Sequence, residues 1–472
     1  MKKYSSFLVR VMVLTGCVLI LTLSLSELMR PKFYNDNYWP LDVTYQGFYS
    51  QKRDSVDVIF LGSSHAISAF SPQELYDSCG IRSFNLSSEE QSLVISYYWL
   101  KEALRFQKPS AVVIDTAVCF PYTETPYNCN EPSIRKALDP MRWSEVKLEA
   151  VNTIHAMDSK ESLASYVFPI IRYHGRWNDL SLNDIHFWPK QRTDLRGYSI
   201  LSEDCGIKDF VPLSDTSASA APAELHGVMR QYLSRMHSIC DKNGIQLLLV
   251  STPYIETSPE RHEALKNYAQ EEGLNFLDFN EAEWFETMDF QFDKDMADGG
   301  HANCFGAAKL TDAIGKVLLA MGVEPKEDPA YESTRAYVDR QTANANLYRL
   351  ETIGEYLAAF ERDRYLIFAE GSGACGKMLE AAGLRQTDDG GFTAVYDGKW
   401  TGDPQKLSGS DFALNVSWKL QCQGNSGKIT VYGKDYERKH PGVEIVLLDR
   451  EKGYVMDHSC FDESGKRISE TD

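Results

Sequence analysis

Three kinds of hydrophobic pattern divide the chain. The first is a near-continuous apolar run, Val11 to Ser26, which reaches about 20 residues when counted from Phe7, enough to cross a hydrocarbon core. The second is a set of short apolar runs bounded by turn residues: Val56 to Leu61, Arg82 to Leu86, Ala111 to Asp115, Ile245 to Ser251 and Leu274 to Phe279. The third has helical spacing. Leu93, Tyr97, Leu100 and Leu104 place one apolar face on a helix over Gln91 to Phe106. Further helices are predicted over Pro72 to Cys79, Ala223 to Cys240, Glu260 to Glu271 and Asn303 to Met321. Strand and helix in alternation predict a three-layer α/β domain with a parallel sheet, over residues 54–323. An insertion, residues 116–222, interrupts it after the third strand.

Beyond residue 323 the pattern changes. Glu324-Pro-Lys-Glu-Asp-Pro329 opens a linker over 324–340, and residues 341–472 form a second, smaller unit. A helix over Leu347 to Glu361, a strand over Arg364 to Ala369 and a helix over Gly376 to Ala382 precede short strands near Phe392, Phe412, Lys428 and Val443. With turns at Asp389-Gly-Gly and Asp449-Arg-Glu-Lys-Gly, this order suggests an α+β module.

Charge assigns the amino terminus a side. Lys2, Lys3 and Arg10 flank the apolar run, so residues 1–30 read as a single membrane anchor, 31–53 as a spacer, and the bulk of the chain as extracellular. Ser24-Leu-Ser26 has the form of a signal-peptidase site, and Leu14-Thr-Gly-Cys17 resembles a lipidation motif; either alternative also exports the chain. The formal net charge of −18, with no basic stripe, excludes a nucleic-acid partner. Ten cysteines without C-x-x-C spacing give neither a disulfide scaffold nor a metal site, although Cys119 with Cys129, and Cys422 with Cys460, are close enough to pair. At 472 residues and 43% apolar content, two cores can be buried.

The chemistry concentrates at two loops. Gly62-Ser63-Ser64-His65 ends the first strand, so a hydroxyl stands at the carboxyl edge of the sheet, where open α/β folds place their sites. Asp298-Gly-Gly-His301 precedes the last helix and supplies a carboxylate and an imidazole from one loop. Nucleophile, base and orienting acid are then all present. Ser64 is the expected nucleophile, with Ser63 the alternative; His65 reads as a helix-start residue rather than a second base. Asp293, Asp295 and Asp298 do not form a calcium loop, because Ala297 and Asp298 stand where an oxygen ligand and a Gly are needed, and Asp293 and Asp295 read as solvated charges. In the insertion, Arg172, His174, Arg176 and Trp177, with His186-Phe-Trp188, place aromatic faces beside cations, which suits a sugar ring; the same aromatics would equally close a small core.

Gly-Ser-Ser after the first strand and D-x-x-H before the last helix resemble the SGNH (GDSL-type) hydrolase superfamily. Within it, an exported, anchored chain carrying Gly-Ser-Ser is similar to the D-alanyl-lipoteichoic acid transfer proteins and the alginate acetylation proteins. The resemblance implies acyl chemistry on envelope polymers without a cofactor, with Ser64 as nucleophile, His301 as base and Asp298 as its partner. It also implies two departures. The family's Gly after the second strand is missing from Asn85-Leu-Ser-Ser-Glu-Glu-Gln91, and its G-x-N-D is replaced by a strand ending Asp115-Thr116. The oxyanion donors would then be the Ser64 amide and a group among Asn85, Ser87 and Ser88.

In the second unit, Lys428 to Tyr436, Pro441 to Asp449, Lys452-Gly-Tyr-Val and Cys460-Phe-Asp462 resemble the interleukin-like EMT inducer domain, in permuted order. That resemblance implies a carbohydrate-holding role. The resulting expectation is a membrane-tethered O-acyltransferase passing an acyl group from Ser64 to a hydroxyl of a cell-surface polysaccharide, beside a multi-span membrane acyltransferase. An esterase removing such groups is the alternative, and a glycan-binding protein that lacks catalysis is the alternative of another class.

Overall fold

A computed structural model describes all residues except 1, 32–40, 181–183, 185–194, 215–220, 361, 373–390, 404, 413, 451–453 and 469–472. The expected helix Gly376 to Ala382 and the His186-Phe-Trp188 stretch lie outside the described residues. The chain forms two compact units, Met1–Arg335 and Ala336–Asp472.

The first unit is built on five parallel strands: β1 (Val58–Leu61), β2 (Ser83–Asn85), β3 (Ala111–Asp115), β4 (Gln246–Ser251) and β5 (Asn275–Asp278), in the order β2-β1-β3-β4-β5. Their apolar runs are continuous because both faces are covered. Ile59, Leu61, Val112, Ile114, Leu247 and Leu249 face one core, shared with helices Leu93–Ala103 and Gly227–Lys242. Val58, Phe60, Val113, Leu248 and Val250 face the other, shared with Pro72–Cys79 and Cys304–Ala320. From β1 the chain crosses to β2 on one side and returns to β3 on the other, so a crevice opens between the carboxyl ends of β1 and β3. Gly62 leaves β1 at that crevice.

The described residues of the insertion extend the core of the sheet. Cys119, Tyr127, Ile134, Leu138, Val151 and Ile154 extend the core that contains Ile59 and Leu61, and Trp99 Nε1 donates to the Ala137 carbonyl at 2.9 Å. Part of the expected spacer is also structural. Residues Leu41–Ser50 form a helix, and Tyr45 stacks on Trp99 with ring centroids 4.4 Å apart. The short spacer between anchor and sheet thus enters the core because its Tyr and Phe positions share one helical face.

The amino-terminal helix runs Lys2–Met29. Its Phe7–Met29 portion, 23 residues with mean hydropathy 2.3, is long and apolar enough to cross a membrane. Its carboxyl end is docked. Ser26, Met29 and Arg30 are buried, Arg30 pairs with Glu27 at 2.8 Å, and Arg176 Nη1 donates to the Met29 carbonyl at 2.8 Å.

The second unit is an antiparallel-sheet region. One sheet has the order β15-β14-β13-β6-β7-β8 and the other β12-β11-β10-β9, with β6 Tyr365–Gly371, β7 Phe392–Tyr396, β8 Trp400–Asp403, β9 Lys406–Asp411, β10 Val416–Gln423, β11 Ser426–Val431, β12 Lys434–Arg438, β13 Val443–Asp449, β14 Tyr454–Phe461 and β15 Arg467–Ile468. Alternation sorts the faces of the larger sheet. Tyr365, Ile367, Val443, Ile445 and Leu447 pack with Ile353 and Tyr356; Leu366, Phe368, Val446 and Leu448 pack with Leu420, Ile429 and Val431 of the smaller sheet. Where one long helix was expected from Leu347, the structure has a 3-10 turn, Leu347–Arg349, and a helix, Ile353–Ala358, restarted by a capping box at Thr352 and Glu355. Residues Pro329–Ala345, which include most of the linker expected over 324–340, are helical. All nine cysteines among the described residues are free thiols, including Cys119, Cys129, Cys422 and Cys460.

The Tyr45–Trp99 stack predicts that Tyr45→Ala will lower unfolding free energy by about 3 kcal/mol, read as a shift in denaturant midpoint of the full chain. A shift under about 0.5 kcal/mol would show that the 41–50 helix is not part of the core.

Candidate active site

Gly62 is required by close packing: a Cβ there would sit 2.5 Å from the Asp115 Cβ. That approach lets Asp115, the last residue of β3, reach across the crevice. Its Oδ2 accepts from the Ser63 amide at 3.2 Å and from Ser63 Oγ at 2.7 Å. Ser63 Oγ in turn accepts from the His65 amide at 3.3 Å, capping the helix Ser64–Ala69. Ser63 is buried, and its hydroxyl is engaged in this clamp. Ser64, the next residue, turns its hydroxyl into the crevice.

The second loop meets it there. His301 Nε2 lies 2.7 Å from Ser64 Oγ, and His301 Nδ1 lies 2.7 Å from Asp298 Oδ2. One residue pair therefore fixes both the tautomer and the ring direction. The loop holds itself shut, since Ala297 N donates to the His301 carbonyl at 2.7 Å, and Ile255 N on the β4 loop donates to Gly299 O at 2.7 Å. Side chains at the two glycines would collide, at Gly299 with Ile255 and at Gly300 with the His65 ring. Asn303 caps the following helix, accepting from Phe305 N and Gly306 N. The spacing D-G-G-H thus places the acid and the imidazole on one turn ahead of a fixed helix start.

Asp298 is held down at about 2: burial raises it, but the His301 hydrogen bond and charge, with the Gly300 and His301 amides, outweigh burial. It is a carboxylate at neutral pH, as an orienting acid must be.

His65 belongs to the site wall. Its ring centroid is 5.2 Å from that of His301 and 4.8 Å, edge-on, from that of Tyr254, with Nδ1 3.5 Å from Thr252 Oγ1. Burial pushes it down to about 4; Asp115 opposes, His301 reinforces, and Asp298 and Glu256 oppose. A small cavity of about 30 Å³ adjoins it, lined by Asp115, Thr116, Thr252, Tyr254 and Asn280 among others.

The expected oxyanion donors separate on inspection. The Ser64 amide and the Ser87 amide carry no hydrogen bond among the described residues, and the Ser87 hydroxyl is buried without a partner. Asn85 Nδ2 is committed to the Ala66 carbonyl at 2.7 Å, steadying the helix behind Ser64. Ser88 N is turned toward Gly62 O at 3.4 Å, and its hydroxyl toward Gln91 Oε1 at 3.2 Å. Of the four, Ser64 and Ser87 have amides to offer.

The stretch Arg172 to Trp177 is placed at the amino-terminal helix. Arg172 pairs with Glu131 and with Glu161 at 2.8 Å, Arg176 pairs with Asp184 at 3.0 Å, His174 Nδ1 meets the Ile171 carbonyl at 3.0 Å, and Trp177 is exposed. These contacts give the charges a structural reason that spacing alone did not suggest. Asp295, read as a solvated charge, is buried and bound to Lys309 at 2.8 Å.

Sequence reasoning missed Asp115 and gave too little weight to His65. The signal for Asp115 was its position, an acid closing an apolar strand beside the strand that carries the serine. His65 gave none, because its contact with His301 exists only once both loops are folded.

No family model and no curated protein matches the chain. Among solved structures, it is similar to a candidate acylhydrolase of Bacteroides fragilis, with 12% identity and a TM-score of 0.29, over 61% of this chain and 99% of that one. A likeness at that level says nothing of activity, which rests on the site alone.

The depressed His65 imidazole makes a pH prediction. Its ordinary value is 6.5 and its folded value about 4, so between them the unfolded chain binds a proton that the folded chain refuses. Stability is fully present above pH 6.5 and falls as pH drops toward 4, by up to about 3 kcal/mol from this group. In denaturant titrations over that window, His65→Asn should lose less stability than the wild type; equal slopes would show that His65 titrates as if exposed.

Proposed function

We propose that the protein is a serine acyl-transfer enzyme whose acyl group is carried on Ser64. The observation that carries this reading is the pair of 2.7 Å contacts that run from Ser64 Oγ through His301 to Asp298. A serine hydroxyl at neutral pH needs a base within such reach to become a nucleophile.

The steps follow from the geometry. Ser64 Oγ attacks the acyl carbonyl while its proton passes to His301 Nε2, and the Asp298 carboxylate stabilises the imidazolium. Negative charge on the carbonyl oxygen would be met by the Ser64 amide and, from the loop after β2, by the Ser87 amide. Collapse expels the alcohol, which takes the proton from His301, and leaves an ester on Ser64. An acceptor hydroxyl then gives its proton to His301 and attacks that ester, releasing Ser64. Water as acceptor makes the enzyme an esterase; a sugar hydroxyl makes it a transferase.

Transfer to a cell-surface glycan is the form we favour, and the docked anchor supports it. Residues Ser26, Met29 and Arg30, at and just beyond the candidate cleavage site, are buried in the fold, so the folded unit uses the helix end that processing would remove or expose. An enzyme held at the outer membrane face meets polymers tethered there, and a multi-span membrane acyltransferase is the natural donor of its acyl group. The cavity beside His65, about 30 Å³, suits a short acyl group. The second unit would hold the glycan, consistent with the resemblance of its strands to a carbohydrate-associated domain.

Incubating the full chain with p-nitrophenyl acetate and then mapping peptides by mass spectrometry tests the enzyme reading. An acetyl group on Ser64, absent in Ser64→Ala, is expected. Asp298→Asn should keep the fold and lower the acylation rate by ~10²–10⁴-fold. No adduct from any activated ester would favour the non-catalytic glycan-binding alternative. Adding oligosaccharide acceptors then separates the two enzymes: acetylated sugar marks the transferase, and acetate alone the esterase.

A further inference from the structure

The interior of the second unit is apolar at one end and ionic at the other. Between its two sheets, Leu366, Phe368, Val446 and Leu448 give way along their own strands to Glu370 on β6 and Glu444 on β13. Glu370 pairs in register with Glu444, and Glu444 with Cys460 on β14. His458, two residues before Cys460 on β14, shares that face. Two carboxylates are therefore neighbours inside a protein core, both of them fully buried.

Glu370 meets a permanent cation, and Glu444 a titratable one. Arg438 forks onto Glu370 with Nε at 2.7 Å and Nη2 at 2.9 Å. Glu444 instead has His458 Nε2 at 2.9 Å from Oε1, and its Oε2 is buried with no hydrogen-bond partner among the described residues. An unpartnered carboxylate oxygen in a core is costly. The third group is soft: Cys460 Sγ lies 3.8 Å from His458 Nε2. One ligating atom from each of Glu444, His458 and Cys460 lies within 4.8 Å of the other two.

We propose that Glu444, His458 and Cys460 form a site for a divalent, zinc-like cation, with one coordination position left to solvent. The donor set is oxygen, nitrogen and sulfur, which suits a borderline-soft metal and not calcium or magnesium. Tetrahedral zinc separates sulfur from nitrogen by about 3.6 Å and nitrogen from carboxylate oxygen by about 3.4 Å. The sulfur–nitrogen separation of 3.8 Å is already close, and the 2.9 Å His–Glu contact opens by a rotation of the Glu444 carboxylate. Charge also balances. With Arg438 committed to Glu370, one carboxylate and one thiolate remain to meet two positive charges. On binding, the Cys460 thiol proton leaves to solvent, and the proton that His458 Nε2 shares with Glu444 is likewise released, which frees Nε2 to ligate. The His458 side chain, 15% exposed, provides the entry. Glu370 and Arg438 form the ordered surround that holds Glu444 in place.

Cobalt reads the site directly, because only a thiolate ligand gives Co²⁺ an intense near-ultraviolet charge-transfer band. The full-length protein, purified under reducing conditions and stripped with chelator, is titrated with Co²⁺ and then with Zn²⁺. The expected result is one equivalent of cobalt with the thiolate band, displaced by zinc, and absent in Cys460→Ser. His458→Gln keeps a donor toward Glu444 and should bind cobalt more than about tenfold more weakly. No thiolate band, a band that persists in Cys460→Ser, or unchanged affinity in His458→Gln overturns the proposal. If Cys460→Ser does not fold, the His458→Gln titration decides alone.

Discussion

The site depends on one contact across the crevice between two parallel strands: Asp115, at the end of β3, grips both the amide and the hydroxyl of Ser63, after β1. The contact requires a residue without a side chain at Gly62, since a Cβ there would overlap Asp115. It also needs the β2-β1-β3 order, which opens the crevice at the place where a helix must start. Once Ser63 is fixed as the cap of that helix, Ser64 has one direction left for its hydroxyl. His301 meets it there because its own loop is closed on Asp298 and tied to the β4 loop through Ile255 and Gly299. Positioning therefore descends from sheet topology to a single carboxylate, and from it to the nucleophile.

A histidine beside a histidine raises an electrostatic question that burial answers. Were His65 charged, an imidazolium on His301, as the proposed mechanism requires, would meet a like charge with ring centroids 5.2 Å apart. With its pKa lowered by burial, His65 instead walls the site with Tyr254, and Asp298 is the charged group that faces the His301 ring.

Much of the first unit was legible in the sequence. The five strands lie within the expected apolar runs, and Pro72–Cys79 appears with the expected bounds, because these patterns are local and both faces of the sheet are buried. The meeting of Ser64, His301 and Asp298 could be anticipated for the same reason: each stands at the end of a recognisable element. What could not be read depends on tertiary approach. The role of Asp115, the placement of His65 and the burial of Asp295 each follow from a partner distant in sequence. The Leu41–Ser50 helix, behind a Pro-bearing stretch, has its reason in Trp99. The charges of Arg172 and Arg176 resembled ligand contacts in sequence and prove to be engaged with Glu131, Glu161, Asp184 and the anchor's last turn. In the second unit, strands exposed on one face left weaker patterns, and β8, β10, β12, β14 and β15 were not anticipated.

The central claim is that the Asp115 clamp makes Ser63 inert and Ser64 reactive through His301. A fluorophosphonate probe, which phosphonylates only an activated serine, reads this directly on the full-length protein by peptide mapping. The account predicts label on Ser64 in the wild type and none in a folded His301→Ala variant. Label on Ser63, or labelling of Ser64 that survives His301→Ala at the wild-type rate, would contradict it.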